Sequence, residues 1–159
     1  MTRVLVTGAG GPAGVAVIRS LLGRPGVDVF AADMDGWASG LYLVPAERRG
    51  LVAPALSDRF VDELVRIVDT DSIDVVFATV DAELPKLAEA RGTLGAILAA
   101  PSLETLAVCL DKWMLAERCS PLLRVPTTRL LDADGVAHQW DFPVVVKPRS
   151  GAGSRGVRL

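Results

Sequence analysis

Arg3-Val-Leu-Val-Thr7 runs directly into Gly8-Ala-Gly-Gly-Pro-Ala-Gly14, and this junction constrains the fold more than any other part of the sequence. The β-branched run favours a strand. Pro12 suits the first turn of a helix, where its missing N–H has no partner to lose. Val15, Ile18 and Leu22 then recur at helical spacing as far as Gly23 and Pro25. Val27-Asp-Val-Phe-Ala-Ala32 reads as a second strand ending at Asp33. A helix crossing between two such strands makes them parallel neighbours in an α/β sheet.

The alternation continues. Residues 34–56 hold Gly, Trp, Pro and the charged Glu47-Arg48-Arg49, with a short strand expected at 51–53. Ser57 is placed to cap a helix whose Val61, Leu64, Val65 and Val68 share one face. Residues 74–79 read as a buried strand, 84–90 as a helix and 96–99 as another strand. Alternating strands and helices predict a Rossmann-like, doubly wound parallel sheet. The pattern changes after Pro101. Helices are expected at 103–110 and 112–118, strands at 127–131 and 144–147 and from Val157 onward, and a turn at 132–135. The expected organisation is an α/β domain over 1–110, followed by a partial α+β subdomain over 111–159 built on antiparallel strands. Its last strand begins at Val157, two residues before the chain stops.

A chain of 159 residues suits one domain, or one domain and a piece of another. Half of it is hydrophobic, enough to bury roughly 70% of the unfolded surface. The net charge of −2 is dispersed, which argues against nucleic acid or an anionic membrane as partner. The N-terminal apolar run is too short for a signal peptide, and no stretch approaches a membrane span. Cys109 and Cys119 fall in helical patterns and read as buried or inert thiols of a reducing cytosol.

Two glycine-rich segments carry the functional signal. Gly8, Gly10 and Ala13 fit the Gly-x-Gly-x-x-Ala form of a dinucleotide turn, and Asp33 stands where a ribose 2′-hydroxyl would be bound. Thr7-Gly8-x-x-Gly11-x-x-Gly14 also matches extended short-chain dehydrogenases. The other readings are helix-to-strand packing, or contact with a substrate through Gly8, Gly10 and Gly11. Those dehydrogenases use a Tyr-x-x-x-Lys pair, whereas the only tyrosine, Tyr42, is followed four residues on by Ala46. The second segment, Gly151-Ala-Gly-Ser-Arg-Gly156, is flanked by strands and lacks a following helix, so it is neither a Rossmann turn nor a Walker loop. A glycine loop between antiparallel strands behaves as a flap whose backbone N–H groups cover phosphates. Lys147 precedes it as a compact charge for phosphate oxygens. Ser154 adds a hydroxyl and Arg155 a second cation; Arg149 is a third. The alternative is a plain hairpin loop.

Together these residues resemble a known family. Asp111-Lys112-Trp-x-x-x-Glu-x-Cys, then Val125-Pro-x-Thr, then Phe142-Pro-Val-Val-Val-Lys-Pro-x-x-Gly-x-Gly-Ser-x-Gly-Val157 looks like the opening of an ATP-grasp domain. The first 110 residues look like the Rossmann-like domain that precedes it. Val4-Leu-Val-Thr-Gly-Ala-Gly-Gly-Pro-Ala-Gly14, Ser39-Gly-Leu-Tyr42 and Thr79-Val-Asp-x-Glu-Leu-Pro85 are closest in flavour to the carbamoyl-phosphate-synthase-like branch. The resemblance implies a ligase that phosphorylates a small carboxylate with ATP and Mg²⁺, then lets an amine or similar nucleophile displace the phosphate. It implies that Lys112 and Lys147 contact ATP phosphates, and that Gly151, Gly153, Ser154, Arg155 and Gly156 form the lid. The adenine hinge, the Mg²⁺ ligands and the late arginines would lie beyond residue 159, so the expectation is the first half of an enzyme, inactive by itself. Of the 17 Lys and Arg residues only Lys86, Lys112 and Lys147 are lysines, and two of these fall at the implied phosphate contacts.

Asp81 and Glu83 follow the 74–79 strand, at the edge where open α/β sheets bind ligands. They read equally as substrate contacts or as acids favoured by a helix N-terminus. His138 reads as a surface residue, and Trp37, Trp113 and Trp140 as packing residues. With one histidine and two dispersed cysteines, no zinc or Cys–His site is expected. Three readings stay open: a cytoplasmic ATP-grasp ligase portion, an NAD(P)-binding oxidoreductase or epimerase, and a non-catalytic half that docks as a homodimer or on a complementing subunit.

Overall fold

The computed structural model describes residues 1–131 and 142–159. It contains two compact units, Met1–Leu103 and Glu104–Leu159. In the first, β1 (Thr2–Thr7) leads through the glycine turn into α1 (Pro12–Leu21), and β2 (Val27–Asp33) follows. Then come β3 (Arg49–Leu51), α2 (Phe60–Asp71), β4 (Val75–Phe77), α3 (Leu84–Glu89) and β5 (Ile97–Leu98). The strands form one parallel sheet in the order β3-β2-β1-β4-β5.

β1 is central, so its alternating side chains enter two cores. Leu5 joins Phe30, Phe60, Leu64, Val76 and Leu87 on one face. Val4 and Val6 join Ile18, Val29, Ala31 and Leu41 on the other. The amphipathic α2 buries Phe60, Leu64 and Val68 because they recur on one helical face. Successive strands step outward from β1 in one direction to β2 and β3, and in the other to β4 and β5. The sheet therefore has its topological switch between β1 and β4, and the crevice beyond their carboxyl ends is where such sheets take ligands.

Several expectations need correction. Ser57 does not cap α2. The helix starts later, at Phe60, with Arg59 in the capping position and no side-chain cap. The Ser57 hydroxyl instead accepts from the Arg59 N–H at 3.3 Å, a local turn that competes with helix. The short strand lies at Arg49–Leu51 rather than 51–53, because Gly50 pairs with Ala32 while the Ala53 N–H donates to the Glu63 carboxylate at 2.6 Å. Residues 39–43 and 46–48 form two 3₁₀ turns that the sequence pattern did not reveal. Trp37 is 85% exposed and is not a packing residue.

The second unit holds α5 (Lys112–Cys119) and most of α4 (Leu103–Cys109). Among its described residues, one antiparallel bridge joins Val146 to Arg158 with paired N–H···O bonds of 2.9 and 2.8 Å. The expected strand at 127–131 is not formed among the described residues. Cys109 is exposed rather than buried; Cys119 is half-buried, and both are free thiols. The expected turn at 132–135, His138 and Trp140 lie outside the described residues. Among those described, no helix is long and apolar enough to cross a membrane.

Candidate phosphate-binding flap and sheet-edge carboxyl

The bridge between Val146 and Arg158 closes a loop that contains Lys147 and all the flap glycines. Its conformation is one that only a glycine-rich sequence adopts readily. Gly151, Gly153 and Gly156 have φ of 120°, 66° and 73°, and Ser154 between them has 58°. L-residues pay for that region through clashes of Cβ with backbone. A Cβ on Gly151 or Gly153 would meet nothing, so these positions need glycine for backbone shape and not for space. Lys147 is exposed immediately after the bridge. Among the described residues nothing bonds its ammonium, which leaves it available to an anion.

α5 supplies the second lysine. Asp111 caps this helix, its Oδ1 accepting from the N–H of Trp113 at 2.9 Å and of Met114 at 3.1 Å. Lys112, the first helical residue, donates its N–H to the Arg149 carbonyl at 2.9 Å and its ammonium to the Gly151 carbonyl at 2.8 Å. Lys112 and the flap, expected from the sequence as separate phosphate contacts, are thus brought together. Arg149 returns the contact: its Nε lies 2.9 Å and its Nη2 2.5 Å from the Asp111 Oδ2. The Arg149 hydrogen bonds hold the Asp111 carboxyl below the usual carboxylate range, with help from the Met114 N–H. Sequence reasoning gave Asp111 no role and counted Arg149 only as a third cation of the flap. Asp111 carried a detectable signal, an N-capping acid before a helix; the pairing with Arg149 carried none.

In the first unit, the glycine turn is tightly packed. A Cβ on Gly14 would lie 2.3 Å from the Gly8 carbonyl, and one on Gly10 would lie 2.8 Å from the Ala38 Cβ. The Gly10 N–H is already committed, donating to the Asp33 Oδ2 at 2.8 Å, while Asp33 Oδ1 accepts from Asp35 at 3.0 Å. The Gly11 N–H donates to the Gly8 carbonyl at 3.0 Å. These bonds favour the packing reading of the turn. Asp81 is exposed, whereas Glu83 is buried. The Thr7 hydroxyl at the end of β1 donates to the Glu83 Oε2 at 2.5 Å, and Thr79 donates to the Thr7 carbonyl at 2.8 Å. This set sits at the carboxyl ends of β1 and β4, the switch point of the sheet. Burial raises the Glu83 carboxyl to about 7; the Thr7 bond opposes the rise and Asp33 adds to it. Glu83 is therefore a proton-holding group near neutrality, and sequence reasoning found the residue but not its partner Thr7.

An open concavity of the second unit lies along α4 and α5 between Thr105, Cys109, Trp113 and Arg118. It contains neither Lys112 nor the flap glycines.

No family model matches the sequence, and no curated protein is significantly similar to it. Solved structures do match in fold. N5-carboxyaminoimidazole ribonucleotide synthetase from Thermotoga maritima aligns with TM-score 0.67 and 22% identity over 99% of this chain and 40% of its own. Pyruvate carboxylase from Rhizobium etli aligns with TM-score 0.66 and 18% identity over 99% of this chain and 15% of its own. Glycinamide-RNase-transformylase T from Mycobacterium tuberculosis aligns with TM-score 0.56 and 18% identity over 84% of this chain and 39% of its own. The chain thus spans less than half the length of each. The class of fold is α/β, built on a five-stranded parallel sheet and shared with these structures.

Proposed function

We propose that this chain is the N-terminal portion of an ATP-dependent ligase that activates a small carboxylate as an acyl phosphate for attack by an amine or similar nucleophile. The observation that carries the reading is the meeting of the Lys112 ammonium with a glycine flap 39 residues further along the chain. A cation and a loop of conformationally free backbone, converging from separate elements, form a cradle suited to a polyphosphate. The likeness of fold to ATP-grasp enzymes agrees with it. In this reading Lys112 and Lys147 neutralise phosphate charge, and the N–H groups of 151–156 with Ser154 and Arg155 cover it. Phosphoryl transfer asks mainly for such positioning and charge stabilisation. Asp81 and Glu83 stand at the sheet edge assigned to the acid substrate, beside the packed turn of Gly8, Gly10 and Gly11, with Glu83 holding or releasing a proton there. Mg²⁺ is the metal this chemistry uses. Among the described residues no group of three His, Cys, Asp or Glu side chains could hold it.

Titration with ATP and with inorganic tripolyphosphate tests the reading, since tripolyphosphate reports phosphate contacts without the adenine. Both bind the wild type in this reading. Lys147→Met weakens tripolyphosphate binding about tenfold or more, the loss of one charge-assisted contact, with circular dichroism unchanged because Lys147 is exposed. Equal affinity in wild type and variant would sink the assignment of Lys147.

A further inference from the structure

The phosphate reading gives roles to Lys112 and the flap but none to Asp111, and the Arg149 guanidinium, read from the sequence as a third cation of the flap, is turned to Asp111 instead. We infer that the Asp111–Arg149 pair is a positioning clasp, which fixes the root of the flap on the first turn of α5 so that Lys112 and the flap address the same phosphate. This deepens the proposed ATP site and rests on it.

Three connections join the same two short segments. They are the Lys112 N–H to the Arg149 carbonyl at 2.9 Å, the Lys112 ammonium to the Gly151 carbonyl at 2.8 Å and to the Arg149 carbonyl at 3.4 Å, and the Arg149 guanidinium to the Asp111 carboxylate through Nε and Nη2. A phosphate competes with only one of them. When the ammonium turns from the Gly151 carbonyl to a phosphate oxygen, the other two remain. The acceptor of the clasp is itself held in place, because the Asp111 carboxylate also caps Trp113 and Met114 and cannot swing away without uncapping α5. A bidentate guanidinium–carboxylate contact fixes orientation as well as distance. Beyond this anchor the chain changes character. Positive φ begins at Gly151 and recurs at Gly153, Ser154 and Gly156, and Cβ atoms at Gly151 and Gly153 would touch nothing. The boundary between a held root and a free lid therefore falls at Gly151. An ion pair this exposed, with Arg149 at 51%, adds little to stability, so its geometry is better explained by position than by folding. Arg149 also neutralises an acid that would otherwise stand beside the triphosphate.

Hydrogen exchange and ATP titration on the full chain test this with wild type, Arg149→Met, Arg149→Lys and Asp111→Asn. Asp111→Asn keeps a capping oxygen and removes the charge, so exchange within 113–119 serves as the internal control. Without nucleotide, the hydrogen-bonded flap amides of Val146, Val157 and Arg158 are expected to exchange about tenfold faster in Arg149→Met and Asp111→Asn, with 113–119 unchanged and Arg149→Lys intermediate. ATP affinity is expected to fall about tenfold in the same two variants. Equal flap exchange in all four proteins overturns the clasp. Faster exchange with unchanged ATP affinity overturns its positioning role. If the wild type binds neither ATP nor tripolyphosphate, the phosphate reading fails, and exchange without nucleotide still decides whether the pair holds the flap root.

Discussion

Glu83 and the packed glycines make opposite demands at the edge of the sheet, one electrostatic and one steric. Glu83 binds its proton more tightly in the folded chain, at about 7, than at its ordinary 4.5. The stability this contributes is complete below pH 4.5 and is lost as pH rises toward 7, above which it is flat. For a carboxyl this buried the full difference is about 3 kcal/mol. Urea unfolding of wild type and Glu83→Gln between pH 4.5 and 8 should therefore give curves that lie closest at low pH, where both side chains are neutral, and separate as pH rises toward 7 and the wild type loses stability relative to the variant. Parallel curves would remove Glu83 as the titrating group. The steric side is read at Gly40, where a Cβ would sit 2.0 Å from the Ala9 carbonyl. Backbone cannot yield as a side chain does, so Gly40→Ala should cost about 3 kcal/mol or more. Gly23 has φ of 76° but open space, so Gly23→Ala should cost only about 1–2 kcal/mol from backbone strain. Thermal denaturation of the two variants checks the order.

Among the elements, α5 has the most dependent start. Its eight residues are too few to hold a helix without tertiary help, and Asp111 is its cap. Asp111→Ala removes cap and charge together, and should speed exchange of amides 113–116 roughly fivefold, for a cap worth about 1 kcal/mol; Asp111→Asn should leave them unchanged. If both variants exchange alike at 113–116, the cap does not stabilise α5. The element scale also shows where sequence was legible. β1, β2 and β4 announce themselves because strands buried on both faces of a parallel sheet read as continuous apolar runs. Leu64 and Val68 announce α2 by period. The segment 34–56 does not read, since two 3₁₀ turns are too short to carry a period. Thr127 to Leu131 reads as a strand by propensity, yet a strand forms only by pairing, and no strand pairing of this segment is present among the described residues. In the candidate site, Lys112, Lys147 and the flap glycines were legible as local patterns. Thr7 with Glu83 and Asp111 with Arg149 were not, because pairs 76 and 38 residues apart leave no local signature.

At the scale of the molecule, the apolar core is unevenly shared. Among the described residues every buried hydrophobic side chain but Leu106 belongs to the unit Met1–Leu103. Burial of apolar surface is the dominant favourable term in folding, so the two units should differ widely in stability, and the chain should not unfold as one two-state system. Urea titration followed by hydrogen exchange is expected to show 104–159 opening well before the strands β1, β2 and β4. The proposed phosphate groups all lie in this weaker unit. A ligand that binds only the folded form stabilises what it binds by RT ln(1 + [L]/Kd), about 2.7 kcal/mol at a hundredfold excess over Kd. ATP or tripolyphosphate should therefore raise the urea midpoint of 112–119 and 146–158 while leaving that of β1 and β4 in place. A single coincident transition would show that the second unit draws its stability from the first. A ligand-induced shift confined to β1, β4 and Glu83 would move the polyphosphate site from the flap to the sheet edge.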